Sequence, residues 1–439
     1  MLSRDEAQSI LDKVMNISTA DETEAHVSSY GSSLTRFAEN HIHQNVSEDN
    51  VHLSVSALLG KKMGAAGTNK LDDESIKKTV ASAREIARFA PPDDELLPLL
   101  GPQVYRGVQS YDPSVDDLTP KDRASGVAEA IEMCEKNGLR AAGAFYNSTG
   151  SGAMATSRGL FAFHQRSSVD FSMTAQGDDS TGWAGGESHV RSRVDPGSLS
   201  QIAVEKSLKS REPREIPPGE YTVILEPAAV SVIVFMFSGF NALAVDEGRS
   251  FLAGKMGQKL LGDNITLISD PYHPLHQGRP FGGDGVPVKR TILLDKGVAA
   301  NLVYDRLTAK KHGVEPTGHG RGGRNAYGAY PSNMVMEGGE ATLEDMIAST
   351  DKGILVTRFW YMRVVDPMKV IVTGMTRDGT FWIENGKIAY GIKNFRFNQN
   401  VLDMLNNVEM MSEPTLAGGM VVPAMKVSEF NFTSGSDAV

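Results

Sequence analysis

From Ala25 to about Gly67 the stretch "AHVSSYGSSLTRFAENHIHQNVSEDNVHLSVSALLGKKMGAAGT" alternates apolar and polar residues with a period of two. A helix cannot present one face at that spacing, since its side chains return every 3.6 residues, whereas successive residues of a strand point to opposite sides. The pattern therefore demands a sheet with one buried face. Breaks at "YGSS", "AEN" and "SEDN" predict an antiparallel meander of short strands.

Helical patterns flank this region. "SRDEAQSILDKVM" carries Ser3 as N-cap, acids in its first turn, and Ile10, Leu11 and Val14 on one stripe. "LDDESIKKTVASAREIARFAPP" runs from acids to bases and stops at a Pro-Pro pair. "LTPKDRASGVAEAIEMCEKNGLR" is a third helix, with Cys134 in its last turns as a small buried apolar residue. Strands joined by tight turns follow, then another helix and a polar, Pro-rich linker. Proline and charge cluster near Pro217, which sets the expected boundary between residues 1–216 and 217–439.

Past that linker, "YTVILEP" is a strand leading into a helix, and "NALAVDEGRSFLAGKMGQKLLGD" reads as a further helix. "NITLISDP" is a strand, "TILLDKGVAANLVYD" a hairpin and "TLEDMIAST" a short capped helix. Two-residue hairpin signals at "RDGT" and "ENGK" organise the last strands. The expected fold class is α+β, with an N-terminal α+β domain built on an antiparallel sheet. The C-terminal domain is expected to be rich in antiparallel β and barrel-like.

A chain of 439 residues exceeds one ordinary core. Its net charge of -10 argues against a protein that coats nucleic acid, which needs a surplus of Lys and Arg. Cys134 is the only cysteine, so neither an intrachain disulfide nor a thiolate zinc cage is available, and a reducing compartment is expected. The first residues lack the long apolar core of a signal peptide. The longest apolar run, "VSVIVFMFSGF", is about half the ~20 residues of a membrane span. The expected location is cytoplasmic, without a membrane partner.

Candidate chemistry is sparse. His41 and His43 in "HIHQ" share one face of a strand, with His52 across a turn, and make the best metal pair. His273 and His276, and His312 and His319, lie in Gly- and Pro-rich loops. Asp246 and Glu247 are adjacent on a presumed helix and point about 100° apart, so they do not clamp one ion. A solvent-facing acidic turn is expected there. "GGDGVPVKR" and "GHGRGGRNAYG" do not match a phosphate loop, and no G-x-S-x-G elbow is present. "FYNSTGS" is expected to place its hydroxyls in a turn.

Several segments in order resemble the TldD/PmbA family, the so-called modulators of DNA gyrase. They are "LTRFAENHIHQNV", "GTNKLDDESIKKTVASAREIAR", "FYNSTG", "AVEKSLKSREPREIPPGEYTVILEPAAV", "GRPFGGDGVPVKR" with "LVYDRLTAKKHGVEPTG", and "PSNMVMEGG". In that family TldD-type subunits carry H-E-x-x-x-H and a later cysteine ligand, and are the zinc peptidases. The matching segment here runs Asp246-Glu247-Gly248-Arg249-Ser250-Phe251. Both histidine positions are replaced, by Asp246 and Phe251, and only Glu247 remains.

The resemblance therefore implies a PmbA/TldE-type subunit with no complete catalytic site and no metal of its own. It implies zinc in a TldD-type partner, a peptide substrate, and a homodimer when the chain is isolated. It also makes His43, Arg249, Arg321 and Arg324 candidates for lining a shared chamber. Two rivals remain open: a stand-alone metalloenzyme using His41 and His43, and a regulator of DNA gyrase.

Overall fold

A computed structural model of the chain describes residues 1–237, 239–322 and 327–436. The N-terminal part is built on strands β1 (Glu22–Ala38), β2 (His41–Leu59), β3 (Lys62–Thr68), β4 (Arg140–Thr156), β5 (Phe161–Gln176) and β6 (Thr181–Ser188). They form one antiparallel sheet in the order β3-β2-β1-β4-β5-β6. Helices α1 (Arg4–Ile17), α2 (Asp73–Phe89), α3 (Pro120–Lys136) and α4 (Pro196–Lys209) accompany it.

The caps set these helix starts. Ser3 and Glu6 make a capping box on α1, Asp72 caps α2, and Thr119 with Asp122 boxes α3 with Pro120 at its first position. α1 and α2 bury Leu11, Val14, Ile76 and Val80 against Val27, Leu53 and Val55. α3 and α4 bury Val127, Cys134, Ala203 and Val204 against Phe37, Val169, Phe171 and Met173. All four helices thus use one face of the sheet. The alternate residues, among them Tyr30, Tyr146, His164, Arg166 and Asp170, point the other way.

The strands are longer than the expected meander. β1 and β2 pair from Glu22↔Leu58 to Ala38↔His41, so "YGSS" and "SEDN" lie inside strands. Only "AEN" turns the chain, with Glu39 and Asn40 at φ of 49° and 58°. Polar side chains there find cross-strand partners, as Ser33 and Ser47 do at 2.8 Å. "FYNSTGS" likewise lies within β4 and not in a turn.

The C-terminal part holds β7 (Gly219–Leu225), β8 (Leu267–Ser269), β9 (Thr291–Asp295), β10 (Val298–Ala299), β11 (Met334–Met336), β12 (Lys352–Asp366), β13 (Ile371–Glu384), β14 (Lys387–Gly391), β15 (Asn394–Asn400), β16 (Val408–Met411), β17 (Thr415–Ala417), β18 (Met420–Val422) and β19 (Met425–Ser436). Its helices are α5 (Pro227–Met236), α6 (Ala242–Asp246), α7 (Arg306–His312), α8 (Leu343–Ala348) and α9 (Val401–Asn406). Strands β12, β7, β19, β15 and β13 pair in sequence, and β13 returns to β12, closing a five-stranded barrel. A second sheet runs β10-β9-β8-β11-β18-β17. The α+β class and the barrel match the sequence expectation.

Barrel strands alternate inward and outward. Val223 and Leu225 join Ile354, Val356, Phe397 and Phe430 in the main core, while Ile224 and Leu355 join Met346 of α8 in another cluster. α5 is apolar nearly all round because it is buried in that main core, and no helix among the described residues is long and apolar enough to cross a membrane. "ENGK" makes the β13–β14 turn. "RDGT" does not turn the chain: Asp378 and Gly379, at φ of 57° and 116°, form a bulge within β13 where the register to β12 slips between Val356 and Arg358.

Candidate functional site

The segment Asn241–Asp263 departs from the single helix expected of it. Asn241 Oδ1 accepts from the Ala244 backbone N–H at 2.7 Å and starts α6, which ends at Asp246. Gly248, Gly254 and Gly257 then take φ of 67°, 71° and 79°, a region closed to a right-handed helix. The chain proceeds in turns because it must bury Phe251, whose ring meets Phe237 at 5.0 Å and Phe240 at 5.6 Å. Ser250 Oγ donates to the Gly239 carbonyl at 2.7 Å and fixes the approach.

The three residues laid on the metallopeptidase motif therefore separate. Phe251 is in the core, and Glu247 accepts from Arg249 Nε at 2.7 Å. Asp246 faces His312, whose Nε2 lies 3.0 and 2.9 Å from its two carboxylate oxygens. His312 closes α7, with its ring 5.4 Å from that of Tyr304. α7 also ties this corner to the N-terminal part: Lys311 pairs with Glu95 at 2.7 Å, and Arg306 donates to the Pro98 carbonyl. Burial raises the pKa of Asp284, with the Arg306 charge nearby opposing that shift.

The other expected residues do not converge on this corner. His41 and His43 share an exposed face, with ring centroids 6.4 Å apart. His52 is not across a turn but farther along the same strand, nine residues from His43, or about 30 Å at a strand's rise. Arg249 is held by Glu247, and Arg321 lies over the Tyr330 ring at 4.8 Å. Arg324 lies outside the described residues. His276 and His319 are buried, and burial lowers each to about 4. His276 Nε2 meets the Met334 carbonyl at 3.0 Å, and His319 Nε2 meets Ser269 Oγ at 2.7 Å. Among the described residues no group of three or more His, Cys, Asp or Glu is placed to hold a metal ion. No histidine in the sequence is directly followed by a glutamate.

Sequence reasoning missed the helix-free face of the N-terminal sheet. Here Tyr30 and Tyr146 hydrogen-bond through their hydroxyls. Asp170 is raised to about 6 by burial and by the Glu187 carboxylate across the β5–β6 ladder. His164 and Arg166 project from the same side of β5, where the His164 ring meets that of Phe281 from the C-terminal part edge-on at 5.3 Å. The usable signal was the even spacing of His164, Arg166 and Asp170, at i, i+2 and i+6, which puts all three on one side of a strand.

Comparison with known proteins places this architecture. Residues 26–87, 109–211 and 218–434 match, in order, the PmbA/TldA metallopeptidase domain 1, central domain and C-terminal domain. A metalloprotease PmbA homolog of Haemophilus influenzae is 24% identical over 400 residues, covering 86% of this chain and 85% of its own. A metalloprotease of Methanothermobacter thermautotrophicus is 28% identical over 282 residues, and that match spans 62% of this chain and 60% of the relative. The crystal structure of TldE from Thermococcus kodakarensis superposes with a TM-score of 0.86 at 22% identity, covering 97% of this chain and 99% of that one. A candidate modulator of a DNA gyrase from Thermotoga maritima gives 0.87 at 20% identity, over 97% and 100%. The two structural likenesses establish the fold.

Proposed function

The chain belongs to the PmbA/TldD metallopeptidase family, and from that premise we propose that it is a metal-free, PmbA/TldE-type subunit of a cytoplasmic peptidase whose zinc resides in a TldD-type partner. The observation that carries this reading is the separation of Asp246 and Phe251. A zinc peptidase site needs imidazole, carboxylate or thiolate donors converging at about 2.0–2.3 Å on one ion. Here the first motif position is a carboxylate engaged by His312, the last is a buried phenyl ring, and the backbone between them turns at Gly248. Such a donor set does not fit zinc.

Without a Lewis acid, a lone Glu247 supplies only general-base help, a factor of roughly 10²–10⁴. Its carboxylate is moreover occupied by Arg249. The chain's contribution is then its shape: a polar sheet face and a barrel that complete a chamber for unfolded peptides when the partner docks. The rival use of His41 and His43 as a metal site has no third donor in reach among the described residues.

The test is metal analysis and an unfolded-peptide cleavage assay on the purified chain, alone and with a partner captured from native extract. The expected result is no stoichiometric zinc in the chain alone and chelator-sensitive cleavage only in the mixture. One zinc per isolated chain, with cleavage abolished by Glu247→Gln, overturns the reading.

A further inference from the structure

Strand β2 leaves much of one edge unpaired. It pairs with β1 along its length, from Leu58↔Glu22 to His41↔Ala38. Its other edge meets β3 only from Leu53 to Leu59. His43 is the extra residue of a bulge opposite Phe37, and from there to Leu53 residues 44–52 run without a break in register. Among the described residues no other strand pairs with this edge. Natural edge strands are blunted by proline, by lysine or by a covering element. Residues 44–52 contain neither proline nor lysine, and all of them except Val46 and Val51 are exposed.

The backbone groups on that edge can be assigned. The Leu58 carbonyl accepts from the Asp21 N–H on the β1 side. Even-numbered residues of β2 therefore turn their backbone groups to β1, and odd-numbered ones turn theirs outward. Asn45, Ser47, Asp49 and Val51 thus offer N–H and C=O groups to a further strand. Asn45 Oδ1 accepts from Thr35 Oγ1 and from Arg123, both at 3.3 Å, which holds the run against β1 and α3.

A second copy of the chain fits this edge. Around a two-fold axis, two identical antiparallel strands set one residue opposite its own copy. Centred on Val46, the pairing joins Val46 to Val46 and continues the row that Leu34 and Tyr146 form beside it. It also sets Glu48 across from the Gln44 amide and brings the Asp49 carboxylate to the His43 end of the other strand. Centring on Glu48 would oppose two carboxylates, and centring on Ser47 would lay Glu48 on Val46. We propose that residues 44–52 of β2 are a self-pairing edge, through which two copies join antiparallel about Val46 into one sheet. The pairing does not rest on the subunit reading, which metal analysis and cleavage decide separately.

The experiment uses the full chain. Sedimentation equilibrium measures its self-association with and without Ser47→Pro. The Ser47 N–H faces outward, so proline there spares the β1 ladder, removes one donor and pushes its ring toward the second strand. Self-association is expected to weaken at least tenfold, with far-UV circular dichroism unchanged. In a Cys134→Ala background, Val46→Cys and Glu48→Cys are then exposed to oxidised glutathione. The two Val46 positions form a non-hydrogen-bonded pair with Cα atoms about 4.5 Å apart, within disulfide reach. Val46→Cys is therefore expected to give a covalent dimer, and Glu48→Cys is not. A monomer at all concentrations, or a dimer that Ser47→Pro leaves intact, overturns the self-pairing. Cross-linking through Glu48→Cys and not Val46→Cys overturns the register. If Val46→Cys couples only to a different chain captured from native extract, the edge belongs to that partner and the self-pairing falls.

Discussion

His312 Nε2 lies within 3.0 Å of both carboxylate oxygens of Asp246, which turns the first position of the motif segment toward α7 and away from Phe251. The two ends of that segment therefore differ in what they contribute to stability. The Asp246–His312 pair is about a third exposed on each side, and Asp246→Asn is expected to cost no more than about 1 kcal/mol. Phe251 is 1% exposed within a trio of rings, and Phe251→Ala is expected to cost about 3–5 kcal/mol. Urea denaturation of the two variants measures the contrast. Restoring the letters alone, as Asp246→His with Phe251→His, is expected to lower stability without conferring tight zinc. One zinc per chain in that double variant at native stability would show that side-chain identity, and not backbone shape, is what the segment lacks.

Those same residues show where the sequence was legible. Helix starts could be read because Ser3, Asp72 and Thr119 act locally, satisfying backbone donors a few residues away. The barrel could be read as a class, because alternation and hairpin signals are also local. Strand length in β1 and β2 could not be read, since Ser33 and Thr35 are kept in strand by partners at Ser47 and Asn45 on the neighbouring strand. The "RDGT" bulge escaped for a similar reason: Asp378 is buried against Arg358 on the neighbouring strand β12, a cross-strand contact that the four letters do not reveal. At the candidate site, the absence of any histidine directly followed by a glutamate was plain in the letters. The breakage of the helix by glycines at positive φ depends on tertiary folding.

Asp170 gives the fold a pH dependence of known sign. Burial first, and then the Glu187 charge, raise its native pKa from the ordinary 3.8 to about 6. Below pH 3.8 the group is protonated in both folded and unfolded chains and weakens neither. As pH rises toward 6 the unfolded chain releases this proton more readily, so the stability present at low pH is progressively lost. Asp170→Asn is therefore expected to stabilise the protein at pH 7 by about 1–3 kcal/mol and to have little effect at pH 4. Chemical denaturation of both proteins at the two pH values checks this. An equal effect at both would remove the assigned shift.

The contact between β6 and α4 is so close that only glycine fits at position 182. A Cβ there would stand 2.2 Å from the Ala203 carbonyl oxygen and 2.3 Å from the Ser207 nitrogen, both backbone atoms. Gly182→Ala must push α4 away from the sheet, at an expected cost of about 1–3 kcal/mol. Gly435→Ala is the control, because a Cβ at that position meets nothing within 4 Å. Thermal melts of both variants should separate them, and matching melting temperatures would rule out the close approach.

Cys134 is expected to behave as a core residue with a hidden thiol. It is fully buried in the cluster that joins α3 and α4 to β5. Burial, with a smaller push from the Glu135 charge, raises its thiol pKa to about 11. Since the thiolate is the reactive form, both access and ionisation oppose modification at pH 8. A disulfide reagent should label one thiol per chain rapidly in denaturant. In native buffer the labelling should be slow and limited by opening of the α3–α4 layer. Cys134→Ala keeps a small apolar side chain there, whereas Cys134→Ser places a hydroxyl in the same apolar cluster, a change worth about 1–3 kcal/mol. Serine should therefore be the more destabilising of the two in a denaturant titration, and rapid native labelling or equal stability of the two variants would contradict a purely apolar role.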